Sequence, residues 1–567
     1  MRRVIEVSRG LAAADLVLRD AWVVDVFNKE LVRADVAVKD GVIAGVGRYS
    51  EAAETVAATG KFVLPGLIDA HVHIESTLLT PANFAAAALP HGTTAVIADP
   101  HEIMNVAGGD GLEYMQAAAH GLPMDFFFML PSCVPATPLE TSGADFGPQA
   151  IAAAFAADRQ SPGLGEMMNY PGVCAADPPV LAKLAAAREE GRLIDGHCPL
   201  LGGKDLQAYV STGISSDHEC TLAAEAREKV GLGLQVLIRE GSAAKNLLAL
   251  LPAVTAANEA SFSFCTDDRH PAELLQEGEI DNILRRAVAA GLDPLTAVRL
   301  ATINTARHYR LAGRGAVAPG FRADLIVVSD LKSFTVERVY KAGRLAAKDG
   351  RLVAQIEAPA GARLTNTVRL PALAGRFALP AAPPGTQANV IEVLPDQLLT
   401  GRLRLPAAEA RAGSRGLAKV AVIERHGRSG NVAVGLVKGF GLSRGALASS
   451  IAHDSHNVIV VGANDSDMEA AALEVGRMHG GLAVVAGGRV LSSLRLPVGG
   501  LMAEEPAATV AEGYEKVQAA ARSLGCVLAS PFMTMSFLAL PVIPALKITD
   551  RGLVDVERFA FIDLWDK

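Results

Sequence analysis

Cysteine is scarce in this chain and never clustered. The six cysteines stand at positions 133, 174, 198, 220, 265 and 526, with no CxxC pair among them. That scatter argues against a disulfide scaffold and a thiolate zinc site, and it predicts a reducing compartment. Long apolar runs are missing as well: none reaches the ~18 residues that span a bilayer. The first residues, MRRVIEVSRG, hold no apolar signal core, so the expected location is cytoplasmic, with no membrane partner. Basic blocks are absent too, and Lys+Arg 53 against Asp+Glu 61 gives a net charge of -8. Nucleic acid is therefore not the expected partner, and a free small molecule is. Finally, no Gly-x-Gly-x-x-Gly turn follows the first strand-like run of the central region, which disfavours an open dinucleotide-binding sheet.

What is present is an ordinary globular composition, 50% hydrophobic and 20% charged over 567 residues. That length exceeds one core and suggests roughly three to four domains. Residues 15–48 and 320–353 share short β-rich runs and a Lys-Asp-Gly turn, at 39–41 and 348–350. They predict one small β-sandwich built from 1–60 with 319–360, split by a central unit at 61–318. Within that unit eight strand-like runs alternate with Ala/Leu-rich helical stretches. The runs are FVLPGLIDAHVHIE, TTAVIADPHE, MDFFFMLPSCVP, GLGEMMN, RLIDGHCP, GISSDHE, GLQVLIREGSAAK and SFSFCTDDRHP. Eight β–α alternations predict an α/β fold of the (β/α)8-barrel kind. Residues 355–390 are rich in Ala, Pro and Gly and read as an irregular join. The last stretch, within 361–567, predicts an α+β domain with helices around 467–478 and 507–523.

Polar residues collect at the C-terminal ends of the eight runs, the face where barrels place their chemistry. His71 and His73 lie one residue apart on a strand, so both rings point to one side. His197, His218 and Asp267 end other runs, and together the five make a ligand set aimed at one cavity. Neutral imidazole is the commonest protein ligand for such ions.

These residues bring a resemblance into view. His71-Val-His73 after PGLIDA, His197 in DGHCP, His218 in SSDHE and Asp267 in CTDD resemble the amidohydrolase superfamily. Within it, IADPHEI, GEMMNYPGV, GHCPLL, CTDDRHP and the distant AHDSHN resemble the microbial two-metal adenine deaminases, over the whole chain. One departure matters. Many two-metal relatives bridge their ions with a carboxylated lysine on strand four. The fourth run here has no lysine, and Glu166 stands at that place. A carboxylate can bridge two cations as a carbamate does.

The resemblance implies a hydrolase of cyclic amidine C–N bonds that converts adenine to hypoxanthine and ammonia, working in purine salvage as a homodimer or larger assembly. It implies two divalent ions, Mn or Fe ahead of Zn, held by His71, His73, Glu166, His197, His218 and Asp267. Such ions make hydroxide available near neutral pH. Asp267 is then expected to take the proton from that water and pass it to the leaving amino group. Glu219 is expected to protonate ring nitrogen N1, its alternative role being a carboxylate at the start of the next helix. Asp268 either holds substrate or pairs with Arg269. Asp99, His101 and Glu102 either border the metal site, binding a further ion or a substrate edge, or form a self-bonded loop. His453, Asp454 and His456 leave three options open: part of the pocket, a loop that satisfies its own backbone, or a separate metal site.

Two other functions fit less well. A cyclic-amide hydrolase of the dihydroorotase or hydantoinase kind would want the missing strand-four lysine. A non-catalytic metal-binding scaffold would be expected to have lost Asp267 or the paired histidines. The His-x-Glu and Pro-Cys-x-x-Cys pattern of nucleic-acid base deaminases is absent.

Overall fold

The computed structural model describes residues 1–242, 244–356, 364–394, 398–410 and 416–567. All eight central runs carry parallel strands: β1 Leu67–Val72, β2 Thr93–Ala98, β3 Asp125–Phe128, β4 Gly163–Met167, β5 Leu193–Gly196, β6 Ser216–Asp217, β7 Gln235–Arg239 and β8 Phe262–Cys265. β1, β2 and β3 form one ladder, β4 pairs with β5, and β6, β7 and β8 form another. Backbone bonds at the strand ends link these groups. Leu130 bridges to Leu164, and the Ser215 N–H donates to the Ile194 carbonyl at 2.9 Å. The Asp267 N–H donates to the His71 carbonyl at 2.9 Å, so the chain beyond β8 returns to β1. β1 and β2 are buried at every position, the condition of parallel strands covered on both faces. Their helices start with the expected signals; Pro178 opens the helix Pro178–Glu189 after β4 and Pro148 opens Pro148–Ala157 after β3.

The segments on either side of this unit meet in one hydrogen-bonded nine-stranded sheet. Its first strand, Ala14–Asp25, is long and carries an irregularity between Leu18 and Ala21. One half pairs with Ala52–Ala57 and the other with Phe62–Pro65. Phe62–Pro65 also pairs with Leu325–Val328, so the run that begins the central unit first completes the flanking sheet. Gly66 makes the turn from that sheet into β1. A Cβ there would lie 2.2 Å from the Thr94 hydroxyl, so glycine leaves the room that the Thr94 side chain fills.

The C-terminal region is a second nine-stranded sheet, mostly antiparallel, with Val432–Lys438 parallel to Gln387–Val393. Helices Asp465–Arg477 and Ala507–Ser523 pack on it. This region shares one apolar core with the parallel strands: Val72, Leu130 and Val236 belong to the same packed cluster as Val420, Val461 and Met502. Polar ties cross the same join. Ser455 donates to Glu140 at 2.7 Å, and the Asn457 side chain donates to the Thr141 carbonyl at 2.9 Å.

Candidate metal centre and its cavity

The parallel strands bring the expected ligands to one end. The Nε2 atoms of His71 and His73 are 3.1 Å apart. The Asp267 carboxylate lies 3.1 Å from His73 Nε2 and 3.8 Å from His71 Nε2. Glu166, at the end of β4, sits in the middle. Its Oε1 faces His73 at 3.3 Å, His101 Nδ1 at 3.4 Å and His71 at 4.0 Å. Its Oε2 faces His197 Nδ1 at 2.7 Å and His218 Nε2 at 3.3 Å. All these side chains are buried.

The proton pattern suits a cation. His73 Nδ1 lies 2.9 Å from the Asp99 carbonyl, which can only accept, so Nδ1 carries the hydrogen. Nε2 is the ring nitrogen left to face the His71 ring and two carboxylates. This is the arrangement in which one ring nitrogen is fixed by an outer hydrogen bond and the other is free to bind metal. Burial alone would raise the acids, but His197 and His218 hold Glu166 well below the usual carboxylate range. Asp267 is likewise held low against burial, by Arg239 first and then by His73. Both acids are thus ionised, as ligands must be. Two groups of three donors, His71–His73–Glu166 and His71–His218–Asp267, each have ligand atoms within 4.8 Å of one another. The set of residues fits divalent ions.

The second polar knot borders this cluster. Asp99 accepts the Glu166 N–H at 2.9 Å, so it fixes β4 rather than turning its own loop. The Ser76 hydroxyl lies between Glu102, at 2.7 Å, and Asp268, with one hydrogen to share between the two carboxylates. Asp268 does not pair with its neighbour Arg269, which reaches Glu277 at 2.9 Å instead. Glu219 is not a helix cap: the next helix, Ala223–Gly231, is preceded by Leu222.

Arg239, at the end of β7, is the side chain that sequence reasoning passed over. It is buried, and its guanidinium grips both Glu219 oxygens, through Nη1 and through Nη2 at 3.0 Å. The same Nη1 donates to Asp267. An arginine at a strand end usually reads as a solvated charge. Its only sequence signal was its place on the polar face.

The cluster opens on a small cavity. The metal-facing side is polar. The opposite wall is apolar and comes largely from the C-terminal half: Leu398, Phe537, Leu540 and Ile543, with Met168 from beyond β4. His453 and Asp454 line it too, and the His453 ring stacks on Phe537 at 4.5 Å. His456 is wholly buried behind them, with Nε2 3.7 Å from Glu102. Such a slot, apolar with a few converging polar groups, is the usual form of a small-molecule site.

Comparison with known proteins agrees with this geometry. Residues 62–346 match the amidohydrolase family, and residues 399–560 match the adenine deaminase C-terminal domain. An adenine deaminase of Nitratidesulfovibrio vulgaris strain DP4 is 49% identical over 564 residues, covering 98% of this chain and 97% of the relative. An adenine deaminase of Desulfatibacillum aliphaticivorans is 47% identical over 569 residues, covering 100% and 99%. The chain belongs to the adenine deaminase family. The matched C-terminal stretch includes the His453–His456 loop and the Phe537–Ile543 wall. The part that marks the adenine deaminase family thus supplies His453, Asp454, Phe537, Leu540 and Ile543 to the cavity.

Proposed function

We propose that this chain is a hydrolytic adenine deaminase, releasing hypoxanthine and ammonia in purine salvage, and that its eight parallel strands are a (β/α)8 barrel. The observation that carries the reading is Glu166, whose two oxygens face two separate groups of imidazoles. That supports two ions bridged by one carboxylate. His71, His73 and Asp267 would hold one, and His197 and His218 the other. Four imidazoles and two carboxylates suit Mn, Fe or Zn, and family membership favours Mn or Fe. Bound there, divalent ions make a water acidic enough to act as hydroxide near neutral pH.

The chain's own groups do the rest. Asp267 accepts the water's proton and later delivers it to the amino group as ammonia leaves. Glu219 protonates N1 of the ring and takes back the C6 hydroxyl proton as the carbonyl forms, while Arg239 stabilises the carboxylate in between. General acid–base steps of this kind contribute roughly 10² to 10⁴-fold. The apolar wall of Leu398, Phe537 and Ile543 covers the base and excludes water. Free cysteines throughout support a cytoplasmic place, and no helix among the described residues is long and apolar enough to cross a membrane. A homodimer or larger assembly belongs to the same reading, and sedimentation velocity measures it.

The test is ammonia release from a panel of purines and pyrimidines, using chelator-stripped protein reloaded with Mn, Fe or Zn. Adenine is expected to lead the panel. No ammonia from adenine with any metal would overturn the reading.

A further inference from the structure

Asp454 is a buried carboxylate with one oxygen near two imidazoles and the other without a donor among the described residues. It is 1% exposed. Its Oδ2 is buried and meets no hydrogen-bond donor among the described residues. Its Oδ1 lies 3.6 Å from His101 Nε2 and 3.8 Å from His453 Nδ1, both beyond hydrogen-bond length. An unsatisfied buried carboxylate is costly, and native structures keep one only where something else completes it.

Its position says what that is. Asp454 lines the same cavity as the metal cluster, on the side given by the C-terminal region. His101 stands between the two, with Nδ1 3.4 Å from Glu166 and Nε2 3.6 Å from Asp454. One imidazole and two gaps separate the bridging carboxylate from Asp454. A fused two-ring base spans such a distance with its six-membered ring at the metal cluster and its five-membered ring at Asp454. Free adenine carries an N–H on that five-membered ring. A nucleoside carries a sugar there and no N–H.

We propose that Asp454 is a specificity-determining residue: it accepts the N–H of the five-membered ring and so selects the free base over its N9-substituted forms. This rests on the adenine reading above. The selection has two parts. The substituted base leaves Asp454 Oδ2 buried and unpaired, and its substituent meets the wall that the Asp454 loop forms with Phe537. A site built to bond an N–H rejects analogues lacking it more strongly than a merely apolar pocket does. The competing occupant is a cation, because His101, Cys133 and Asp454 have donor atoms within 4.8 Å of one another. The apolar wall beside Asp454, from Phe537, Leu540 and Ile543, favours the base.

The experiment compares wild type, Asp454→Asn and Asp454→Ala in the metal-loaded full-length protein. It reads kcat/KM for adenine and for 9-methyladenine, equilibrium binding of hypoxanthine, and metal content per chain. In both variants adenine kcat/KM and hypoxanthine affinity are expected to fall by roughly 10- to 150-fold, the range of a charge-assisted hydrogen bond. In Asp454→Ala the preference for adenine over 9-methyladenine is expected to shrink by at least the same factor. Metal content should equal that of wild type. An unchanged preference would overturn the proposal, even if activity fell. So would a metal equivalent present in wild type and lost in both variants, which would make Asp454 a ligand. Wild type that releases no ammonia from adenine would instead defeat the functional reading on which the proposal stands.

Discussion

Oε1 of Glu166 faces three imidazoles and Oε2 faces two, and that division is what a bridging ligand requires. Glu166→Gln keeps the shape and removes the charge. It is expected to drop metal content from two ions per chain to one or fewer, and ammonia release by about 100-fold or more, since even outer partners of metal ligands cost 10–100-fold when lost. Elemental analysis with a coupled ammonia assay checks both. Arg239→Lys loses the fork that holds Glu219 and Asp267 together. Its kcat is expected to fall roughly 10- to 150-fold, with metal content unchanged and KM moving less than kcat. At this scale the sequence was legible where a local rule applied. His71 and His73 share a face because side chains alternate along a strand. Arg239 escaped because its partners lie 20 and 28 residues away and meet it only once the strands are side by side. Asp454 was visible as a polar residue in a suggestive string, but its unsatisfied Oδ2 is a property of packing, not of spacing.

At the scale of elements, β4 carries the bridging residue and is pressed against β2. A Cβ on Gly165 would lie 2.1 Å from Asp99 Oδ2, the oxygen that accepts the Glu166 N–H. Gly165→Ala must therefore push Asp99 aside and release the end of β4. The expected cost is about 1–3 kcal/mol of stability, the range for overpacking a core, together with weaker metal binding. Denaturant unfolding and a competitive chelator titration measure the two effects. The eight strands were legible because apolar runs ending in polar residues repeat with helices between them. Even β6, two residues long, stood out through its ending Ser-Asp-His-Glu. The flanking sheet was legible in part. Its two halves share turn chemistry, but the bend that lets Ala14–Asp25 serve two neighbours depends on an irregularity that no period-two pattern announces.

Across the whole molecule the eight parallel strands and the C-terminal region share one apolar core, and both line the cavity. Lys547 sits at their join. It is wholly buried, and its ammonium donates to the Leu398 and Phe537 carbonyls at 3.0 Å each, two residues of the cavity wall. Burial pushes its pKa down to about 7. An unfolded lysine titrates near ~10.4. Between those values the unfolded chain holds a proton that the folded chain has released, so stability rises with pH from about 7 to about 10. Below that window both states are protonated and the contribution is flat. Lys547→Met is expected to remove this slope and to be the more stable protein at pH 6 to 7, read by urea unfolding at a series of pH values. That the C-terminal region covers the active face was one of three options the sequence left open, because loop residues such as Ser455 and Asn457 find partners more than 300 residues away, at Glu140 and Thr141.

The central claim is a two-ion centre, bridged by Glu166, that deaminates adenine. It is tested most directly by titrating metal-free protein with Mn²⁺ while following ammonia release from adenine. The account predicts that activity climbs to a plateau at two equivalents per chain. A plateau at one equivalent, or no ammonia at any loading, would contradict it.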